Sequence, residues 1–395
     1  MGPRICLAAC IMLLACHRRP TPVPDAGALA FRPADLPRID VHAHLGGARS
    51  HQRALELGDR YGIDTFVNLS GEPPGRKCRG QEGPIDCLSA QVALARRTGR
   101  VAVFTQPPWD EVLKGPGYGE RMAAALELAR GRGAIGLKVA KVLGLGLPAP
   151  GGERALPVDD PSLDPLWRKA GALGMPVAIH TGDPKAFWLP VTPTNERWDE
   201  LSAHPGWAYA DAEGKVVRGL PTWEELYAGF ERLVLRHPKT TFIGVHFGND
   251  PEDPKRVERL LERAPNFYID TAARIPEIGR HDPAEMRRFF ERWQDRILFG
   301  TDLGVGDAPE DLMLGSTDGK PPGPTDIDRF FTQSFRYLET RERAFEHPTP
   351  IQGRWRIDGV GLSREVLEKI YYRNAMRLFG LLAPARARIA DAATR

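Results

Sequence analysis

Four histidines and an aspartate stand at the ends of short apolar runs, and their types suit one kind of chemistry. His42 and His44 close the run Arg38-Ile39-Asp40-Val41-His42-Ala43-His44. In an extended segment alternate side chains share a face, so two histidines two apart point the same way. Two imidazoles on one face can grip one metal ion, although such a pair alone is as often an accident of core or surface. Three later runs end in groups fit for the same role, namely Val177-Ala178-Ile179-His180, Gly244-Val245-His246 and Leu298-Phe299-Gly300-Thr301-Asp302. Nitrogen and oxygen ligands without thiolate suit Zn²⁺, with Mn²⁺ or Fe²⁺ as alternatives. A cation held there lowers the pKa of bound water toward neutrality. Asp302 could then pass the proton onward.

Such groups meet only if the fold gathers them. Eight apolar, β-branched runs recur, at Ile39–Leu45, Thr65–Leu69, Val101–Thr105, Ile135–Val139, Val177–His180, Thr241–Phe247, Phe267–Asp270 and Ile297–Phe299. Helical periodicity fills the intervals, as in Met122–Arg130, Pro161–Leu173, Trp223–Arg236, Pro254–Arg263 and Pro283–Trp293. Strands alternating with helices make a parallel sheet. Eight units predict an α/β fold of the closed (β/α)8 TIM type, whose strand ends converge on one mouth. An open doubly wound sheet is the rival, but no Gly-x-Gly-x-x-Gly follows the first run.

Further residues belong to that mouth. Lys138 ends the fourth run, and Arg274 follows the seventh in Asp270-Thr271-Ala272-Ala273-Arg274. Arg274 could clamp a carboxylate or phosphate, or form a loop salt bridge, for instance with Glu277. Asp270 is suited to accept a hydrogen bond from a metal-binding imidazole. Long excursions leave the fifth and eighth runs, Asp183 to Pro221 and Gly304 to Pro324. Long loops on this face commonly carry function. In the first, Asn195-Glu196-Arg197-Trp198 could touch substrate. Trp188, Trp198 and Trp207 could form an aromatic lid or pack the loop's own small core.

The ordered set, His42-x-His44, then Val-Ala-Ile-His180-Thr, Gly-Val-His246-Phe-Gly and Leu-Phe-Gly-Thr-Asp302, resembles the amidohydrolase superfamily. The closing stretch, Lys369 to Gly380, with Asn374 inside it, resembles the branch that includes aminocarboxymuconate-semialdehyde decarboxylase. The likeness runs from about Arg38 to Leu382. It implies that His42, His44, His180 and Asp302 bind one divalent metal, with His246 beside it as acid/base or substrate-polarising group. Lys138 would contact substrate. In two-metal members a lysine on a corresponding strand is carboxylated and bridges the ions, which would make His246 a ligand of the second. The implied activities are metal-dependent hydrolysis of an amide, ester or lactone of a small molecule, or non-oxidative decarboxylation of a small unsaturated or aromatic acid. A non-catalytic binding protein that kept the barrel is a third possibility, against which the full ligand set argues.

The chain ends read differently. Arg4 precedes an apolar stretch, Ile5 to Ala15, too short to span a bilayer. It ends in Leu13-Leu14-Ala15-Cys16, which resembles a bacterial lipobox, although Leu14 is larger than usual there. The expectation is a signal peptide over 1–16, lipid on Cys16, a Pro-rich tether over 17–37, the barrel over 38–382 and a flexible tail over 383–395. Those features would make it an exported, periplasm-facing, membrane-anchored lipoprotein; an ordinary signal peptide or a retained anchor is the alternative. Of five cysteines, Cys78 and Cys87 then remain, and an exported chain most simply pairs them. Across the 395 residues the net charge is +3, 42% of residues are hydrophobic and 27% charged, with both signs interspersed. That composition supports a large core and offers no nucleic-acid footprint. Oligomeric state is not legible.

Overall fold

The computed structural model describes residues 33–79, 83–152 and 154–384. Cys16, the signal peptide, most of the tether and most of the tail lie outside them. All eight expected strands form: β1 (Ile39–Leu45), β2 (Thr65–Asn68), β3 (Val101–Thr105), β4 (Gly136–Val139), β5 (Val177–Ile179), β6 (Phe242–Gly244), β7 (Phe267–Asp270) and β8 (Ile297–Leu298). Each pairs in parallel with the next in sequence. The sheet curls until the eighth strand meets the first, where Val41 N–H donates to Phe299 O at 3.0 Å. After a break at Thr301 and Asp302 the same strand direction resumes as β9 (Leu303–Val305). It pairs in parallel with β1 and turns back, antiparallel, as β10 (Leu312–Leu314). The sequence reading of a (β/α)8 barrel therefore holds.

Helices wrap the outside because each offers one apolar stripe to the strands. The helices include α1 (Ala48–Tyr61), α2 (Cys87–Thr98), α3 (Tyr118–Arg132), α4 (Asp164–Ala172), α5 (Trp198–Ala203), α6 (Trp223–Arg236), α7 (Pro254–Arg263), α8 (Pro283–Trp293) and α9 (Pro324–Glu339), of which α5 belongs to the excursion after β5. Their starts follow capping chemistry. Thr222 and Glu225 form a reciprocal box before α6, and Asp253 and Asp282 cap α7 and α8 ahead of a proline. Fully buried Leu, Phe and Trp from these stripes, such as Trp167, Leu233, Phe230, Leu260 and Phe290, meet the outward strand residues.

The C-terminal stretch packs beside β8 and β1. There Arg364–Glu368, a π-helical Lys369–Arg373 and Asn374–Phe379 run on from one another. Phe299 N–H donates to Ile370 O at 3.0 Å, fastening β8 to that stretch. Arg38, wholly buried, lies over Phe335 and Tyr371 and pairs with Glu339 at 2.9 Å. Among the described residues no helix is long and apolar enough to cross a membrane. A small hairpin, Lys77–Arg79 with Pro84–Asp86, follows β2, and a disulfide joins Cys78 to Cys87 at the start of α2.

One expected strand is shorter than its apolar run. The run Thr241–Phe247 forms a strand only to Gly244. His246, Phe247, Gly248 and Asn249 then turn left-handed, with φ of 56°, 58°, 70° and 64°. Three of these are not glycine, and each carries a steric cost of about 1–2 kcal/mol. Asn249 holds the turn: its Oδ1 accepts from Thr181 N at 2.8 Å and its Nδ2 donates to Ile179 O at 3.2 Å.

Candidate metal centre and active site

The inward face of β1 carries Asp40, His42 and His44 in a row, as its alternation requires. His42, 1% exposed, places Nδ1 at 2.8 Å from Asp270 Oδ2. The ionised Asp270 accepts the Nδ1 proton in a hydrogen bond, which leaves Nε2 with a lone pair. That nitrogen lies 3.3 Å from Asp302 Oδ1, and His44 Nε2 is also 3.3 Å from the same oxygen. His44 Nδ1 meets Ser70 Oγ at 2.8 Å. His246 donates from Nδ1 to Ala272 O at 2.9 Å, which frees its Nε2 in the same way. Ligand atoms of His42, His246 and Asp302 lie within 4.8 Å of one another.

Electrostatics match this arrangement. Burial, with Lys138 adding to it, holds His42 well below the ordinary imidazole range. Burial and the neighbouring His180 do the same to His246. Burial opposes ionisation of Asp302, but the imidazoles of His42 and His44 outweigh it and hold the carboxyl below its usual range. Neutral His42 and His246 and the ionised Asp302, with ligand atoms within 4.8 Å of one another, form a set of acceptors with no proton to share. A divalent cation satisfies all of them. Ligands about 2.0–2.1 Å from a tetrahedral cation stand about 3.3–3.4 Å apart, which the two distances to Asp302 match. The residues present therefore fit a divalent metal.

Two supporting carboxylates sit beneath. Asp270 accepts from His246 N at 2.8 Å and Ala272 N at 3.1 Å besides His42. Asp40 accepts from His42 N and Thr301 N, both at 3.0 Å, and from Thr301 Oγ1 at 2.5 Å. Burial pushes both carboxyls up to about 7. Sequence reading found Asp270 and missed Asp40, whose signal was its place on the His42 face.

His180 ends β5 as expected, its ring 4.3 Å from that of His246. Its Nε2, however, donates to Gly182 O at 3.0 Å and stands 3.6 Å from Asp183 Oδ1. The structure thus gathers His42, His246 and Asp302, with His44 against Asp302, and leaves His180 Nε2 turned to its own loop. The cause is local: the backbone after His180 turns Gly182 O back under the ring.

These groups line a cavity of about 320 Å³ with Lys138, Lys141, Asp183, Phe187, Glu200, Trp207, Arg274, Met313 and Ser316. Lys138 is 4% exposed and its Nζ has no hydrogen-bond partner among the described residues. Burial, offset in part by Asp302 and Asp270, brings its pKa down to about 8. Arg274 is buried and donates from Nη1 to Ala273 O at 3.2 Å. It pairs with no carboxylate among the described residues. The expected alternative partner, Glu277, instead binds Arg197, which also meets Glu200 at 2.9 Å.

The first excursion departs from expectation in detail. Asn195 is buried in the loop, donating to Ala186 O and Pro190 O, and Glu196 reaches outward to Arg280 at 2.7 Å. Arg197 is sealed beneath. None of Asn195 to Trp198 lines the cavity. Of the three tryptophans only Trp207 does; Trp188 packs on Tyr209 at 4.3 Å. Glu200 and Asp183 were not singled out from sequence. Asp183 accepts from Lys141 and Tyr209, both at 2.7 Å. Burial would raise its pKa, but Lys141 and the other donors hold it well below the usual range.

Residues 39–381 match the model of the amidohydrolase family. The chain belongs to the amidohydrolase family. No curated protein matches its sequence. Among solved structures, this amidohydrolase is similar to an uncharacterized TIM-barrel protein from Bordetella bronchiseptica at 14% identity and TM-score 0.49, covering 88% of this chain and 99% of the other. It is similar to a 2,6-dihydroxybenzoate decarboxylase from Rhizobium at 17% identity and TM-score 0.46, with the same coverage. A dihydroxybenzoic acid decarboxylase from Polaromonas, with bound manganese and the inhibitor 2-nitroresorcinol, follows at 15% identity and TM-score 0.47, covering 89% and 99%. Likeness at this level says nothing of substrate or reaction.

Proposed function

We propose that this amidohydrolase is a metal-dependent hydrolase of a small ester, lactone or amide that bears a carboxylate. One observation carries the reading: Nε2 of His42 and Nε2 of His44 each stand 3.3 Å from the same oxygen of the ionised Asp302, in one cavity. His42, His44 and Asp302 would hold the metal, with His180 joining through Nδ1 or by turning its ring. Bound, a divalent cation supplies Lewis acidity and a more acidic water. The remaining work falls to the chain. Asp302, kept ionised, accepts a proton from the attacking water. His246, neutral and with the Nε2 lone pair free, takes that proton from Asp302 and hands it to the leaving atom. Arg274 and Lys138, two buried cations without a carboxylate partner, would seat the substrate's carboxylate.

That same pair of cations supports a second reading, a decarboxylase of a small unsaturated or aromatic acid, in which the seated carboxylate is the one lost. The test is a panel of carboxylate-bearing lactones, esters, amides and aromatic acids with the full chain, with and without chelator. Titrated acid without CO₂ release supports hydrolysis. CO₂ release from an acid, abolished by chelator, establishes the second reading and overturns the first. The chain's place in the cell rests on Cys16: as a lipidated first residue it would tether the barrel to a bacterial membrane on the exported side.

A further inference from the structure

Each candidate ligand imidazole has its ring orientation set by what its other nitrogen meets, and its tautomer too where that partner can only accept. For His42 the partner is a buried carboxylate, and for His246 a backbone carbonyl. His44 differs. It is the exposed one of the group, its side chain 30% accessible, and its Nδ1 partner is the Ser70 hydroxyl at 2.8 Å. A hydroxyl that accepts from Nδ1 leaves the Nε2 lone pair toward Asp302. Without it the ring is free to rotate and to exchange tautomers.

Ser70 is itself held from two sides. Its N–H donates to Asn68 Oδ1 at 3.0 Å, and that oxygen also accepts from Leu45 N at 2.9 Å, next to His44. Its carbonyl accepts from Gln91 Nε2 at 3.1 Å, while Gln91 Oε1 accepts from Glu72 N at 3.0 Å. One amide thus spans the chain on both sides of Gly71, a residue with no room for a side chain, since a Cβ there would strike the Phe104 carbonyl. Gln91 sits on α2 one turn beyond Cys87, the disulfide-bonded residue.

We infer that Ser70 is a positioning residue for His44 and that Gln91 is the fastener that keeps Ser70 in place. The inference rests on His44 being a metal ligand, as proposed above. Loss of an outer partner of a metal-binding histidine costs about 10–100-fold in affinity.

The test measures Zn²⁺ affinity of the full chain by competition with a chromophoric chelator. It compares wild type with His44→Ala, Ser70→Ala, Ser70→Thr and Gln91→Leu, and records the unfolding midpoint of each metal-free protein. Ser70→Ala and Gln91→Leu should bind about 10–100-fold more weakly with midpoints close to wild type. Ser70→Thr, which keeps the hydroxyl, should recover most of the affinity. Wild-type Zn²⁺ affinity in His44→Ala would overturn the ligand reading itself. Weakened binding in His44→Ala with wild-type binding in Ser70→Ala would overturn the positioning role alone. A Ser70→Thr protein as weak as Ser70→Ala would also overturn it, because the hydroxyl would not be the cause. Wild-type affinity in Gln91→Leu would remove the fastener.

Discussion

Asp302 sits in a left-handed backbone, φ 67°, that only a neighbour's grip can hold. Asp40 supplies it by binding Thr301 through both N–H and Oγ1, and the carboxylate of Asp302 is thereby aimed at His42 and His44. Replacing His42 and His44 together by alanine should abolish metal retention while the chain stays folded, read by elemental analysis alongside circular dichroism. His246→Asn should keep one metal per chain and lose about 10²–10⁴-fold in kcat; loss of metal in that variant would make His246 a ligand. At this scale the sequence was legible where strand periodicity did the sorting. His42, His44, Lys138, Asp270 and Asp302 all stand at strand ends. Ser70, Asp183 and Glu200 were not legible, because each gains its place from a partner far along the chain or from loop geometry that no period encodes.

Elements explain why the histidine after β6 can face inward at all. Continuing β6 as a strand would alternate His246 and Phe247 across the sheet, whereas the left-handed turn brings His246 in and buries Phe247 against Phe289 at 5.1 Å. Asn249→Ala should strip Thr181 N–H of its acceptor and remove a residue tolerant of positive φ. The expected cost is about 2–4 kcal/mol, measured by chemical denaturation. The apolar run through Phe247 gave no warning of this turn; only Gly248-Asn249 hinted at it.

The loop from His347 to Gly353 offers a pH test. His347 is 2% exposed, and burial brings its pKa down from 6.5 to about 4 against the pull of the Gly353 carbonyl. The unfolded chain takes up a proton near 6.5 and the folded chain only near 4, so stability is full above 6.5 and falls as pH drops through that window. The shift corresponds to about 3 kcal/mol, of which about 2 kcal/mol is lost by pH 5. His347→Asn should flatten that slope in denaturation curves taken at pH 7 and pH 5.

At the scale of the molecule, the barrel was readable from eight runs and their spacing. The closure at Val41 and Phe299 was implied by their number, while the return hairpin of β9 and β10 was hidden in a polar excursion. Outside the described residues, Cys16→Ser should shift the full-length chain from the membrane fraction to the soluble one without loss of barrel activity. Unchanged fractionation would point to a retained apolar anchor.

The excursion over the mouth is fastened at many points. Arg197 is wholly buried between Glu200 and Glu277, and Glu200 also meets Ser316. His204 bonds Thr317 O at 2.7 Å, and Asp199 pairs with Arg354 at 2.5 Å. Removing one partner of a buried pair of this kind costs about 3–5 kcal/mol, so these contacts hold the excursion in place in most molecules at any instant. The excursion is therefore built into the wall of the pocket rather than laid loosely over it. The shape of the pocket is thus settled during folding, with Phe187, Glu200 and Trp207 already in its lining.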